Sequence, residues 1–180
     1  MYIELDQHNR VTGLCLSPPS HPPEGVTYEA VDDDDPRLLE FQSREPGAPL
    51  PPATPEEAAE RANATINEQW HEREFDTFTY GDRPFQCDPQ SQIRIMGQSN
   101  AILMGDTAEI TWKSADNEMV TLTASEFQQL AIAAKAHCAS LFAQAQAHKA
   151  EVEAIANDPT LPGEMAIAAI QDYVDGMAWN

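Results

Sequence analysis

From Leu122 the chain reads "LTASEF" and then continues for about thirty alanine-rich residues with almost nothing reactive among them. That opening has the form of a reciprocal helix start. The Thr123 side chain accepts from the backbone N–H three residues on, Glu126 reaches back to the N–H of Thr123, and Leu122 and Phe127 close an apolar staple over the turn. The pattern predicts one long helix from Thr123 to about Ala156. With Phe127 taken as a heptad a position, Phe127, Ala134, Leu141, His148 and Ile155 share one row. Ala131, Cys138, Ala145 and Val152 form the d row beside it. Small residues along the stripe let a second helix come close. "NDPTLPG" then breaks the helix, and "EMAIAAIQDYVDGMAWN" reads as a short amphipathic helix with a tryptophan tail.

The 180 residues suit one domain, or a small domain with an appendage. Only 7% are aromatic while 14 are proline, so the core is modest and part of the chain is connector. Residues 1–16 read as a hairpin, "YIELD" and "RVTGLCL" about the turn-forming "QHN". "SPPSHPPEG" excludes helix and central strand, and Val26–Val31 alternates as a further strand. The proline-rich "SREPGAPLPPA", residues 43–53, is an extended linker. A small β-rich module over 1–42 is therefore expected, followed by a mainly helical unit over 54–180.

Within that unit, "TPEEAAERANATINEQWHERE" starts with Thr54 as cap, Pro55 at the first helical position and Glu57 completing a capping box. Ala59, Ala62, Ile66 and Trp70 fall at helical spacing on it. Phe75, Phe78, Tyr80 and Phe85 crowd around a Gly-Asp turn, as in a hairpin. Asp88 and Pro89 open another helix, with Ile93, Met96, Asn100 and Leu103 at helical spacing. "AEITWKSADNEMVTLT" is a second hairpin turning at "SADN". The fold class expected is α+β: a small N-terminal β module, then β-hairpins packed with helices, one of them long.

Thirty acids against ten bases give a net charge of −20. The bases are scattered, which excludes a basic patch for nucleic acid. An acidic surface also repels anionic membranes and favours solubility. No run reaches the roughly 18 apolar residues of a membrane span, and "MYIELDQHNR" has no features of a secretion signal. A cytosolic protein is expected. Cys15, Cys87 and Cys138 are odd in number and lack CxxC spacing, which suits reduced thiols.

Chemistry is hard to place on this sequence. Asp32–Asp35 are contiguous and followed by Pro36, whereas a calcium loop needs alternating ligands and a glycine turn; a solvated acidic turn is the simpler reading. His8, His21, His71, His137 and His148 are dispersed, and the last two lie about three helical turns apart, too far to chelate one ion. HExxH, GxSxG, P-loop and GxGxxG motifs are missing. No catalytic residue, cofactor or metal ligand is expected. Trp70, Trp112 and Trp179 are apolar anchors. Trp179 lies one residue from the end, either docked back on the body or offered to a partner.

The residues from about Trp70 to Trp179 resemble the domain of unknown function found in bacteriophage tail proteins and tail-fibre assembly chaperones. The resemblance is carried by "FTYGDRPFQCDPQSQIRI", by "AEITWKSADNEMVTLTASEFQQLAIAAKAH", by "HKAEVEAI" and by a tail of the type "AIAAIQDYVDGMAW". "YIELDQHNRVTGLCL" is also similar to the opening of phage fibre-assembly proteins. The resemblance implies a non-enzymatic chaperone that binds the tail fibre, near its C-terminal region, in the host cytoplasm. Two other roles are weighed: a structural component retained on the fibre tip or tail of the virion, and an acidic DNA mimic directed against a host enzyme. The contact surface expected is the long helix at Phe127, Ala134, Cys138, Leu141 and Ala145, with Trp179 as a terminal anchor. The same stripe would suit a second copy of the chain, or the protein's own core.

Overall fold

A computed structural model describes residues 1–45 and 48–179. Pro46 and Gly47, inside the connector, and Asn180, at the end of the tail, lie outside the described residues. Seven short strands and five helices follow one another in the order βββαα, ββα, ββαα, among the described residues. The chain is an α+β protein with 50% helix and 16% strand.

The N-terminal sheet has β1 (Tyr2–Leu5) at its centre, between β2 (Val11–Cys15) and β3 (Thr27–Ala30), all antiparallel. Asn9, at φ 63°, makes the tight reversal between β1 and β2, since Asn tolerates the left-handed region. A bulge at Glu4/Leu5 shifts the pairing so that Glu4 faces Gly13 and Leu5 faces Val11. Ile3, Leu5 and Val11 bury one side of the sheet against Leu38 of α1 (Pro36–Ser43). This helix is not foreseen in the sequence reading. Its cap is the last residue of the acidic run: Asp35 accepts from the Arg37 N–H at 2.8 Å, while Asp32, Asp33 and Asp34 stay exposed. The connector returns to this module, as Arg10 donates to the Pro51 carbonyl at 3.0 Å and to Glu57 at 2.7 Å.

In the second part of the chain, α4 (Ala124–Ala156) is the spine. Its capping box is formed as expected, with Thr123 Oγ1 accepting from the Glu126 N–H at 3.2 Å and Glu126 Oε2 accepting from the Thr123 N–H at 2.8 Å. At 33 residues it is about 50 Å long, more than one small core can cover. Two cores divide it. On the first half, Phe127, Leu130 and Ala134 meet Phe78 and Phe85 of the hairpin β4 (Thr77–Tyr80)–β5 (Arg83–Gln86). The same cluster takes Ile95 of α3 (Pro89–Leu103), with Ile110 and Leu122 of the hairpin β6 (Ile110–Lys113)–β7 (Met119–Leu122). Trp112 meets the ring of Phe127 edge-on at 5.0 Å. On the second half, Ala145 and Val152 pack with Ala58, Ala62 and Ile66 of α2 (Pro55–Glu74) and Ile170 of α5 (Gly163–Asp175). Alanine at the facing positions allows those helices to approach closely.

Two local expectations are corrected. At the start of α2, Thr54 caps as expected, accepting from the Glu57 N–H at 3.2 Å. Glu57 does not complete a box with Thr54; it accepts from the Ala53 N–H at 2.9 Å and pairs with Arg10. A nearby guanidinium has redirected the carboxylate. On α3 the row Ile93, Met96 and Leu103 faces outward, and Ser91 and Ile95 are the buried residues. Polar contacts fix that rotation. Gln92 donates to the Cys87 carbonyl at 2.9 Å, Gln128 of α4 donates to the Ser99 carbonyl at 3.0 Å, and Ser99 donates to Gln128 Oε1 at 3.2 Å.

Candidate protein-binding face

The helix stripe singled out from sequence is mostly interior. Phe127, Ala134, Leu141 and Ala145 are buried within the chain's own packing. The reason is economy of apolar surface: with two hairpins and three other helices to support, α4 has no inner row left over. Cys138 is half-buried. Trp179 is docked back onto the body, donating from Nε1 to Gln69 Oε1 at 2.9 Å, with its ring 5.0 Å from that of His148. His148, on the same stripe, is held by Tyr173, with Nδ1 and the phenol oxygen 2.7 Å apart.

What remains open is the outer side of α3 and the strip of α4 beside it. Between them runs a groove of about 620 Å³. Ile95 and Ala134 form its buried floor, Ile93 and Met96 stand on one wall, and Ala131 and Lys135 on the other. Ile93 is 64% exposed and Met96 59%, which is unusual for two large apolar side chains one helical turn apart. Leu103 and Met104 continue the exposed apolar surface at the end of the helix.

Charge sets this face apart as clearly as hydropathy does. Residues 89–105 and 127–150 contain no Asp or Glu, in a chain that carries 30 of them. Arg10, Arg37, Arg44 and Arg83 are each paired with a carboxylate elsewhere in the chain. Among the described residues, Arg94 of α3 and Lys135 of α4 form no ion pair, and the same holds for Arg61, Arg73, Lys113 and Lys149. On the far side of α3 a smaller depression, about 230 Å³, is bordered by Arg94, Lys113, Trp112 and Met119. Alpha3 thus carries an apolar crest between two depressions, with Lys135 beside the larger and Arg94 beside the smaller.

The signal for this site is present in the sequence as two acid-free windows and a helix with apolar residues on more than one side. Periodicity alone hides it, because the outward row reads as a core stripe.

At the inner edge of the groove two of the three cysteines meet. The sulfurs of Cys87 and Cys138 lie 3.7 Å apart as free thiols, with the Gln92 amide 3.7 and 3.8 Å from them. Burial, followed by the neighbouring Cys138, pushes the Cys87 thiol up to about 12, and burial also raises that of Cys138. Such thiols are poor nucleophiles near neutral pH. No group of three or more His, Cys, Asp or Glu among the described residues is arranged to hold a metal ion. No helix among them is long and apolar enough to cross a membrane.

A family model described as "Domain of unknown function (DUF4376)" matches residues 57–175, from the first turn of α2 to the end of α5. No curated protein and no solved structure matches the chain.

Proposed function

We propose that this chain, which belongs to the DUF4376 family, is a non-enzymatic assembly chaperone for a bacteriophage tail fibre, acting in the host cytoplasm. The reading starts from the resemblance to phage tail-fibre assembly proteins. The observation that carries it is the exposed, acid-free apolar face of α3 on a body of net charge −20. Fibre chains are long and β-rich, and before they trimerise they expose apolar surface and unpaired strand edges that aggregate. A helper with one apolar face can cover such surface near the fibre's C-terminal region. Its remaining charged surface keeps the complex soluble and repels other copies of itself. The two-core spine of α4 gives that face a rigid backing.

The test is co-expression with the fibre gene of the same phage, scoring soluble trimeric fibre with and without this protein. Dependence of fibre solubility on the helper, with co-purification of the two, supports the proposal. A fibre that trimerises equally well alone, with no co-purification, overturns it. Recovery of the protein in stoichiometric amount from finished particles would move the reading to a retained tail component.

A further inference from the structure

We propose that Cys87 and Cys138 are a disulfide-forming pair, closed by exchange with a small-molecule disulfide that reaches them through the α3–α4 groove. The inference is independent of the assembly reading and concerns a modification of this chain alone.

The pair is made by the fold. Cys87 follows β5 and directly precedes Asp88, the cap of α3, while Cys138 lies 51 residues on, in the middle of α4. Both belong to the first core, whereas Cys15 ends β2 in the N-terminal sheet. The two sulfurs are 3.7 Å apart, in van der Waals contact, and the Gln92 amide approaches both from the first turn of α3. A disulfide needs its sulfurs about 2 Å apart, and thiols already in contact reach that by turning their own side chains.

Unequal access sets the order of events. Cys138 is half-buried and lines the groove, while Cys87 is completely covered. The Cys138 thiolate attacks one sulfur of the external disulfide, forming a mixed disulfide and releasing a first small thiol. The Cys87 thiolate then attacks Cys138 Sγ and expels the second. Two electrons pass from the protein to the small disulfide, and the two protons lost by the cysteines end on the released thiols. The second step joins groups already in contact, which offsets the weak nucleophilicity of a buried thiol. Gln92 donates to the Cys87 sulfur and favours the thiolate that this step needs. Glu74, at the end of α2, acts against the thiolate at both positions. Together with burial it makes closure slow near neutral pH. The bond joins the start of α3 to the middle of α4 and fixes the wall carrying Ile93 and Met96 against the floor of the groove.

The experiment uses the full chain, first reduced and then held at pH 8 with excess glutathione disulfide. Samples are quenched in acid, remaining thiols are alkylated, and each cysteine is assigned by mass spectrometry. The expected product is the Cys87–Cys138 cross-link, with glutathione on Cys15. Cys87→Ala, which adds no polar atom to the core, should stop at glutathione on Cys138. Cys138→Ser should leave Cys87 unmodified for about ten times as long as the wild type takes to close. Closure should leave the far-UV circular dichroism unchanged and raise the melting midpoint by about 5 °C or more, reversibly with dithiothreitol. Absence of the cross-link from the native wild-type chain overturns the proposal, whether Cys138 stays free or carries glutathione. So does a cross-link that forms only in urea, or one that runs through Cys15 instead.

Discussion

Trp179 Nε1 donates to Oε1 of Gln69 across 2.9 Å, tying the last described residue of the chain to α2. The indole is also covered by the Arg73 guanidinium, 5.1 Å above the ring, and by His148 at 5.0 Å. It closes the second core, where α2, α4 and α5 meet. Trp179→Ala removes a half-buried aromatic with its hydrogen bond and is expected to cost about 1–3 kcal/mol. Gln69→Ala, which removes the acceptor alone, should cost about 1 kcal/mol. Urea denaturation of both singles and the double mutant measures this, with a coupling on the order of 0.5 kcal/mol or more expected. Additive effects would mean that the tail is not held through Gln69.

The division of α4 and α3 into an inner and an outer side predicts opposite responses to substitution. Ala145 is completely buried between α2 and α5. Ala145→Leu forces a larger side chain into a closed helix contact and should destabilise by about 1–3 kcal/mol. Ile93→Ser, on the exposed wall of the groove, should change stability by less than about 0.5 kcal/mol while removing partner binding. Thermal melts beside the fibre co-expression assay separate the two. Strong destabilisation by Ile93→Ser would mean that the α3 crest supports the fold.

How much of this is readable from sequence depends on whether the signal is local. Thr123 and Glu126 are three residues apart and their capping box follows from residue types alone, as do the Asp88–Pro89 start of α3 and the Gly81–Asp82 turn, where Gly81 has φ 65°. The fate of Glu57 was not legible, because its partner Arg10 lies 47 residues away. Nor was the side of α3 that faces the core, which depends on Gln128 meeting Ser99 across 29 residues. Alpha1 was missed because four consecutive aspartates read as a turn, and only the last of them caps. The docking stripe was misplaced for a related reason: a heptad row shows that a helix has an inner side without showing what covers it.

The cap of α3 carries a pH dependence of defined sign. Hydrogen bonds from Ser91, first through its hydroxyl and then through its N–H, lower the Asp88 carboxyl below its ordinary value, with the Gln90 N–H adding to the effect. A lowered native pKa means that the stabilisation is fully present above the ordinary carboxylate value near 4 and is lost as pH falls through the lower native one. Asp88→Asn keeps an acceptor for the helix N-terminus but not the charge. The stability difference between the two proteins should therefore be largest at pH 7 and shrink as pH falls below about 4 through the lowered native value. Urea midpoints across that range measure it, and a difference that grows on acidification would contradict the cap assignment.

Burial makes the cysteines report on the first core and on the groove together. With Cys87 pushed up to about 12, its thiolate fraction at pH 8 is on the order of one part in ten thousand, against roughly a quarter for an ordinary thiol. Iodoacetamide at pH 8 should therefore label native Cys87 at least a hundredfold more slowly than the partly exposed Cys15, and the gap should close in urea. Cys138→Ser should leave Cys87 slow, because burial outweighs the neighbouring sulfur as the cause of its shift. Cys138 lines the groove and is only partly covered, so it should react at an intermediate rate. Site-resolved mass spectrometry reads all three rates in one experiment. Fast native labelling of Cys87 would mean that the first core opens readily, and labelling of Cys138 as slow as that of Cys87 would mean that the groove beside it is closed in solution.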